Sequence, residues 1–463
     1  MANPSFSLAE WRRRSAYAGS PLYLGTGRDG LIFAAREQNM LVLGPPRSGK
    51  TTSLVIPNLL LAPGAAVATS TKPDVLAATA GERATVGRCW LFDPSGSVAA
   101  PPGVTRLRWS PIEGCRTWDG ALHTARAMTR AARPDGFAGD QAHWTERAEA
   151  LLAPLLHAAA VDGIGIDIVT NWVHRRDLDT AKAILTRTAS PGEDSLDGLS
   201  KTDPRELSGI WSTAAGVVAA YRSTTTLELA RDPNFDPFTF QATSDTLYIC
   251  GSGRDQELNR PLVVGLLEQI RAGAYEWTAA AGQRGQWAGP PVFLLLDEAA
   301  NVAPIADLPS IVSEGASQGV LTMACFQDLS QARTRWPKEA DGFMTLFGAN
   351  VILGGIRDVR TLDQISRLAG EVEVPHNSVS RRTWPFGRPG PSVTYSTRRQ
   401  PRIPVDLIAQ LPPGEAILMK GAEAPRDLHL TPWFRTLPFL EARRSVELLP
   451  PGREQTQGMG RSL

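Results

Sequence analysis

Seven short, continuous apolar runs punctuate the chain: Met40 to Leu43, Ala65 to Thr69, Cys89 to Phe92, Thr246 to Cys250, Val292 to Leu296, Val320 to Cys325 and Val351 to Leu353. They do not alternate with polar residues, and several run directly into Gly, Asp or Gln. A strand buried on both faces needs this pattern, so the runs predict a mostly parallel sheet with helices on both sides, an α/β fold. Between the third and fourth runs, from about Thr117 to Arg231, the period changes. Trp144, Ala148, Leu151, Leu152, Leu155, Leu156 and Ala159 follow helical spacing, as do Leu207, Ile210, Trp211, Ala214, Val218 and Tyr221. One run inside this stretch, Ile164 to Val169, is its single strand candidate. Gly, Pro and Asp clusters flank the stretch at Pro111 to Gly114 and Asp232 to Pro237, so it reads as an all-helical insertion into the α/β domain.

The segment from His376 to Arg402 is different again. It carries Arg381, Arg382, Arg388, Arg398, Arg399 and Arg402 with several prolines and glycines and no acidic residue. It reads as a mobile basic loop or irregular hairpin. Trp384, Phe386 and Tyr395 are available there for stacking on bases, although most basic loops are simply solvated.

Composition narrows the class. The 463 residues are 42% hydrophobic and 21% charged, with formal net charge +1, so the chain is globular and has no strongly cationic coat. Any contact with nucleic acid must come from a local patch, a pore or an assembled surface. Cys89, Cys115, Cys250 and Cys325 are scattered without a CxxC pair, which argues against a zinc site or disulfide framework and fits a reducing compartment. No run of about 18 apolar residues is present, and the opening stretch lacks an apolar core of signal-peptide length. Arg12, Arg13 and Arg14 beside Trp11 read as a solvated terminal turn, with anionic lipid as the alternative contact.

The chemistry concentrates after the first run. Gly44-Pro45-Pro46-Arg47-Ser48-Gly49-Lys50-Thr51 satisfies the GxxxxGK[ST] spacing at every fixed position, between a strand and an apolar helix, Ser53 to Leu61. Such a turn aims backbone N–H groups at polyphosphate, and the following helix adds its positive end. Gly44 through Thr52 are the candidate nucleotide contacts, with Lys50 on the β and γ phosphates and Thr51 on Mg2+. Pro57 lacks an N–H inside that helix and should bend it. Gly25-Thr26-Gly27-Arg28-Asp29-Gly30 matches GxGxxG but does not join a strand to a helix, so it reads as a turn.

The run Val292 to Leu296 ends in Asp297-Glu298. Two acids after a buried strand are costly unless they act at the sheet's carboxyl edge, where ligands bind in open α/β folds. Asp297 is the second candidate magnesium ligand, and Glu298 is placed to polarise the attacking water. Gln327, after the run Val320 to Cys325, is a candidate sensor at the same edge. Lys72, beyond the second run, is either near the nucleotide or the next subunit, or on a surface turn. His143 and Trp144, opening a predicted helix, read as packing residues.

The order of these segments resembles a known family. Gly44 to Thr52 continues as Ser53-Leu54-Val55-Ile56-Pro57-Asn58-Leu59-Leu60. Ser70-Thr71-Lys72-Pro73-Asp74, Leu91-Phe92-Asp93-Pro94, Arg108-Trp109-Ser110-Pro111-Ile112, Leu294 to Asn301 and Ala324 to Gln331 follow. From about Gly30 to Trp433 this order is similar to the TraG/TraD coupling proteins of conjugation and type IV secretion, a branch of the FtsK–HerA motors. The resemblance implies a RecA-like P-loop core with an all-α insertion, and a hexameric ring holding ATP and Mg2+ between subunits. It implies an ATPase that moves DNA and recruits relaxase–DNA complexes or protein effectors to a secretion channel. It gives Lys50, Glu298 and Gln327 catalytic roles and Thr51 and Asp297 the metal.

The expected divisions are an N-terminal segment without a transmembrane helix, 1–36; a first RecA-like part, 37–116; the all-α insertion, 117–235; a second RecA-like part, 236–440; and a polar tail, 441–463. A cytoplasmic location follows, at the inner face of the membrane through a partner subunit. Two features depart from the family pattern: the usual transmembrane helices are absent, and Glu314 to Gly319 holds no arginine where members commonly carry one that acts across the subunit interface. Arg333, Arg335, Arg357 and Arg360 are the possible substitutes. The alternatives are a motor for protein effectors and a slowly hydrolysing, nucleotide-gated adaptor.

Overall fold

All seven apolar runs form strands, at the centre of a larger sheet. In the computed structural model, which describes residues 7–19, 21–27, 30–132, 140–251, 253, 255–381, 391–436 and 438–440, fourteen strands occur in chain order. They are β1 (Tyr23–Gly27), β2 (Gly30–Phe33), β3 (Met40–Leu43), β4 (Ala66–Ser70), β5 (Cys89–Phe92), β6 (Val104–Arg106) and β7 (Thr246–Cys250), then β8 (Val292–Leu296), β9 (Val320–Phe326), β10 (Ala349–Leu353), β11 (Glu371–Arg381), β12 (Pro391–Pro401), β13 (Glu415–Lys420) and β14 (Arg426–His429). Twelve of them make one sheet in the order β2-β1-β14-β13-β10-β3-β9-β8-β4-β7-β5-β6. From β10 to β6 every pairing is parallel. The pairings that attach β13, β14, β1 and β2 are antiparallel.

Burial explains why the seven runs were readable. Every residue of β3, β4, β5, β7, β8, β9 and β10 is buried. Their side chains feed two apolar cores, one on each face of the sheet. The outlying strands β1, β2, β6, β13 and β14 are partly exposed; β1, β6 and β14 carry no continuous apolar run, and the runs Leu31 to Phe33 of β2 and Ala416 to Met419 of β13 are not among the seven read as buried strands.

The residues between β6 and β7 are helical, with α-helices at Trp118–Ala132, Asp140–Asp162, Ile166–Arg175, Asp179–Arg187, Gly192–Ser200, Pro204–Val217 and Thr224–Leu229. Their apolar faces are continuous with one of the two sheet cores: Leu43, Phe92 and Trp109 belong to the same cluster as Leu151, Leu155 and Trp211. The indole N–H of Trp109 donates to Gln269 on the helix Gln256–Gln283, at 2.9 Å.

Several expectations need correction. Ile164 to Val169 is not a strand; it enters the helix Ile166–Arg175, which buries Ile166, Val169, Thr170 and Val173. The spacing of those four residues makes one helical face and outweighs the local alternation. The basic segment is neither an irregular hairpin nor a loop along its described length, because β11 and β12 pair in unbroken antiparallel register from Glu371↔Pro401 to Arg381↔Pro391. Both strands are edges of a two-stranded sheet, where proline costs little, and beyond Val372 and Val374 few apolar residues mark them in sequence. Arg382, Trp384, Phe386 and Arg388 lie outside the described residues. The arginine triplet is not a terminal turn either. It belongs to the helix Leu8–Tyr17, and Arg12 is buried, donating to the Leu60 carbonyl at 2.7 Å and pairing with Glu82 at 2.7 Å. Gly27 and Gly30 face one another across the antiparallel β1–β2 pairing, so the GxGxxG match does not join a strand to a helix; Arg28 and Asp29 lie outside the described residues. No helix among the described residues is long and apolar enough to cross a membrane.

Candidate active site

The site forms at the carboxyl ends of three adjacent strands, β3, β9 and β8. Gly44 follows β3 directly, and its N–H donates to the Phe326 carbonyl at the end of β9, at 3.1 Å. The loop then turns through two left-handed residues, Arg47 (φ 64°) and Gly49 (φ 97°). The second is a glycine, and the first is an exposed arginine that accepts the strain of a sparsely populated region. Pro46 is exposed, and Pro45 and Ser48 are partly buried.

Lys50 is buried, and its ammonium points back into the loop. It donates to the Gly44 carbonyl and, at 2.9 Å, to that of Pro45. Thr52 closes the turn by donating its hydroxyl to the Gly49 carbonyl at 3.3 Å. The Ser48 hydroxyl is buried without a hydrogen-bond partner. An ammonium satisfied only by carbonyls and an unpartnered buried hydroxyl are polar groups arranged for something anionic.

The helix that leaves the loop answers the Pro57 question. The first turn, Thr51–Val55, is widened, so that the Ile56 N–H reaches five residues back to the Thr51 carbonyl. The regular helix Ile56–Leu61 starts immediately after and carries Pro57 in its first turn. Proline there removes an N–H that is not needed, and the wide turn relieves the clash its ring would cause.

Asp297 and Glu298 follow β8. The Thr51 hydroxyl donates to the Asp297 carboxylate at 2.7 Å, so the phosphate-type loop and the acidic turn meet directly across β9. Glu298 is left-handed at φ 60°, and its carbonyl accepts the N–H groups of Asn301 (2.9 Å) and Val302 (3.1 Å). The Ala299 N–H donates to Cys325 at 3.1 Å. The two last carbonyls of β9 thus hold the loop on one side and the acidic turn on the other. Thr69, at the end of β4, donates its hydroxyl to the Asp297 carbonyl at 3.3 Å. Sequence reading missed Thr69, because only the strand order places β4 beside β8.

Burial pushes the Asp297 carboxyl up to about 6. The Thr51 hydroxyl and the Lys50 ammonium pull it back, and the Glu298 charge raises it further. A carboxyl whose folded pKa lies above its ordinary value favours the fold while protonated. That contribution is complete below about pH 4 and is lost as pH rises through about 6. Asp297→Asn is therefore expected to stabilise the chain by on the order of 2 kcal/mol at pH 7.5 in a chelator, with the gain shrinking toward pH 5. Thermal melts at the two pH values check this, and an unchanged or lower melting temperature at pH 7.5 would contradict it.

Gln327 follows β9 at the same edge, with its backbone N–H bonded to the Gln331 side chain at 2.9 Å. Lys72 is exposed, its N–H bonded to Ser70 at 3.2 Å, in a surface turn. His143 and Trp144 lie in the first turns of their helix, where His143 contacts Glu206 at 3.4 Å and the Trp144 ring packs over Gly209. Among the candidate arginines, Arg333 pairs with Asp358 (2.8 Å) and Asp341 (3.4 Å), and Arg360 pairs with Asp341 (2.6 Å). Arg335 donates to the Ala300 carbonyl at 3.2 Å, two residues from Glu298. Arg357 is exposed.

The family model described as the TraM recognition site of TraD and TraG matches residues 291–413. A conjugal transfer protein TraG of Escherichia coli is 25% identical over 406 residues, covering 79% of this chain and 61% of that protein. A second TraG of Escherichia coli is 25% identical over 347 residues, covering 68% and 53%. The chain thus spans between half and two thirds of the length of these relatives.

Among solved structures, the unbound bacterial conjugative coupling protein TrwBdeltaN70 superposes with a TM-score of 0.68 at 18% identity, covering 92% of both chains. Plasmid coupling protein TrwB in complex with ADP and Mg2+ gives 0.63 at 18% identity, covering 85% of this chain and 86% of that one. The fold is therefore the RecA-like α/β core with a helical domain that these proteins share. By motif order, by the family model over 291–413 and by fold, the chain is similar to the TraG/TraD-type coupling proteins.

Proposed function

We propose that the chain binds ATP with Mg2+ and hydrolyses it to drive substrate transfer as a coupling motor. The contact between Thr51 and Asp297, 2.7 Å across β9, carries this reading. It brings together the two groups that would share one magnesium ion. The loop fits the phosphates: its buried Ser48 hydroxyl lacks a partner, and the Lys50 ammonium is free to exchange two backbone carbonyls for phosphate oxygens. TrwB, of like fold, has been solved in complex with ADP and Mg2+ and with a non-hydrolysable ATP analogue, which supports the same ligand here.

In this reading the Gly44–Thr52 loop binds the phosphates, and Thr51 and Asp297 hold the metal. The metal supplies charge neutralisation on the β and γ oxygens. Glu298 accepts a proton from the attacking water, and Gln327 orients the γ-phosphate or that water. DNA delivered with a relaxase is the proposed substrate, a hexameric ring the proposed assembly, and the helical block of 117–235 the proposed substrate-facing part. The conjugal-transfer relatives support the first of these.

A specific observation favours a second reading, the slowly hydrolysing adaptor. The stretch Glu314 to Gly319 contains no arginine, and Arg333 and Arg360 are tied into ion pairs. Steady-state ATPase assays without DNA, with single strands and with duplex separate the two. We expect turnover that rises with DNA and is abolished in Lys50→Ala. Nucleotide binding lost in Lys50→Ala, with no turnover by the unaltered chain under any DNA condition, would instead support the adaptor.

A further inference from the structure

Strands β11 and β12 form a sheet of their own, apart from the twelve-stranded one. Their pairing runs from Glu371↔Pro401 to Arg381↔Pro391, a ribbon about 34 Å long at about 3.4 Å per residue. Strands are usually about half that length, and a two-stranded ribbon with so few apolar residues is marginal in water by itself. Val372 and Val374, at its base, are partly buried, whereas Pro375 and every residue from Ser396 to Arg402 are exposed. A ribbon of this kind gains stability from whatever covers it.

Its charge has one sign. Val374 to Arg381 and Pro391 to Arg402 hold Arg381, Arg398, Arg399 and Arg402 and no acidic residue. Taking these four away from the formal net charge of +1 leaves the rest of the chain at −3. The ribbon is thus a positive element on a chain that is otherwise negative in sum. The acid closest in sequence, Glu373, pairs with Arg399 at 3.4 Å, and both side chains are exposed, so the pair is weak and easily exchanged. Farther out, Ser378 pairs in register with Thr394 and Ser380 with Ser392, residue types whose hydroxyls bind phosphate oxygens.

We propose that this ribbon binds duplex DNA along its phosphate backbone. The inference rests on the DNA reading above and gives it a surface outside both the nucleotide site and the helical block. Charge complementarity argues for a polyanion. Length and shape argue for the duplex: one turn of B-DNA is about 34 Å, and its major groove admits a two-stranded β-ribbon. A membrane surface fits less well, because binding there needs an apolar face to bury as well as cationic charge.

The test is fluorescence anisotropy with a labelled duplex of roughly 30 base pairs over a salt series. The unaltered chain is compared with one carrying Arg398→Ala, Arg399→Ala and Arg402→Ala together, and with one carrying Arg398→Lys, Arg399→Lys and Arg402→Lys. At about 0.1 M salt the alanine variant is expected to bind about tenfold more weakly or worse, and its slope of log affinity against log salt to fall by about 2 to 3. The lysine variant should stay within about threefold of the unaltered chain, because neutralising phosphate needs the charge rather than the guanidinium fork. A single strand of the same length should lose less than the duplex. Backbone amides of Glu371–Arg381 and Pro391–Pro401 should exchange more slowly when duplex is added to the unaltered chain, a readout that depends on no variant. Equal duplex affinity in the unaltered chain and the alanine variant, with amide exchange unchanged, would overturn the ribbon as a DNA surface and leave the DNA reading standing. So would a loss confined to phosphatidylglycerol vesicles. A greater loss for the single strand overturns the duplex as the occupant. An unaltered chain that binds no DNA at any salt overturns the DNA reading, and this proposal with it.

Discussion

Replacing Glu298 with glutamine is expected to cut ATP turnover about 100-fold or more while leaving ATP affinity within a few-fold of wild type. The change is isosteric and removes only the carboxylate charge. A positioned general base contributes about 10²- to 10⁴-fold to such reactions, and Glu298 is the base in the proposed mechanism. It adjoins Asp297, the partner of Thr51, and it stands left-handed at φ 60°. That conformation costs a non-glycine residue on the order of 1 kcal/mol or more. It is held by two N–H groups on its carbonyl and by the bond from the next residue to β9. Single-turnover hydrolysis alongside nucleotide binding separates the effects. Turnover equal to wild type would remove Glu298 from the chemistry.

The largest structural effect is expected at Arg83, which sequence reading passed over. It ends the helix Asp74–Arg83, is 0% exposed, and spends its guanidinium on four oxygens. They are the carbonyls of Ala62 (2.6 Å), Gly64 (2.9 Å) and Ser244 (3.0 Å) and the Thr246 hydroxyl (2.7 Å). The side chain ties the entry of β4 to the entry of β7, its parallel neighbour. Burial lowers its pKa to about 10, still far above neutrality. Arg83→Ala strands the two buried carbonyls of Ala62 and Gly64 and the partly buried one of Ser244, and a buried one costs about 1–3 kcal/mol when unsatisfied. A loss of about 4 kcal/mol or more in urea unfolding is expected, with Arg83→Lys recovering only part of it, because an ammonium cannot span all four oxygens. A loss under 1 kcal/mol would contradict this account.

These two residues mark what a sequence exposes and what it hides. Glu298 was legible because its neighbours are covalent: an apolar run and two acids stand next to each other in the chain. The loop around Lys50 was legible for the same reason. The seven inner strands announced themselves because burial on both faces demands uninterrupted apolar residues. Arg83 was illegible because its four partners come from segments up to 163 residues away, and nothing local distinguishes a buried arginine from a solvated one at a helix end. Thr69 was hidden in the same way, by strand order. Strands β11 and β12 were hidden because apolar residues are too few along most of their length to set a hydrophobic period. Ile164 to Val169 misled because Ile164, Ile166 and Ile168 alternate over a window too short to show the helical face that Ile166 and Val169 share with Thr170 and Val173, and Ile168 is exposed. The arginine triplet misled because Arg12 is buried by contacts with Leu60 and Glu82, distant in the chain.

The end of β9 has a mechanical consequence. Neighbouring peptide units of one rigid, fully buried strand grip Gly44 and Ala299. A displacement of either turn therefore pulls on a shared yoke and is felt by the other within a single residue's length. Closure around a ligand at Gly44 and reorientation at Glu298 then become one motion. Disturbing the packing of Ala324 or Cys325, neither of which is accessible to solvent, would put the two turns out of step.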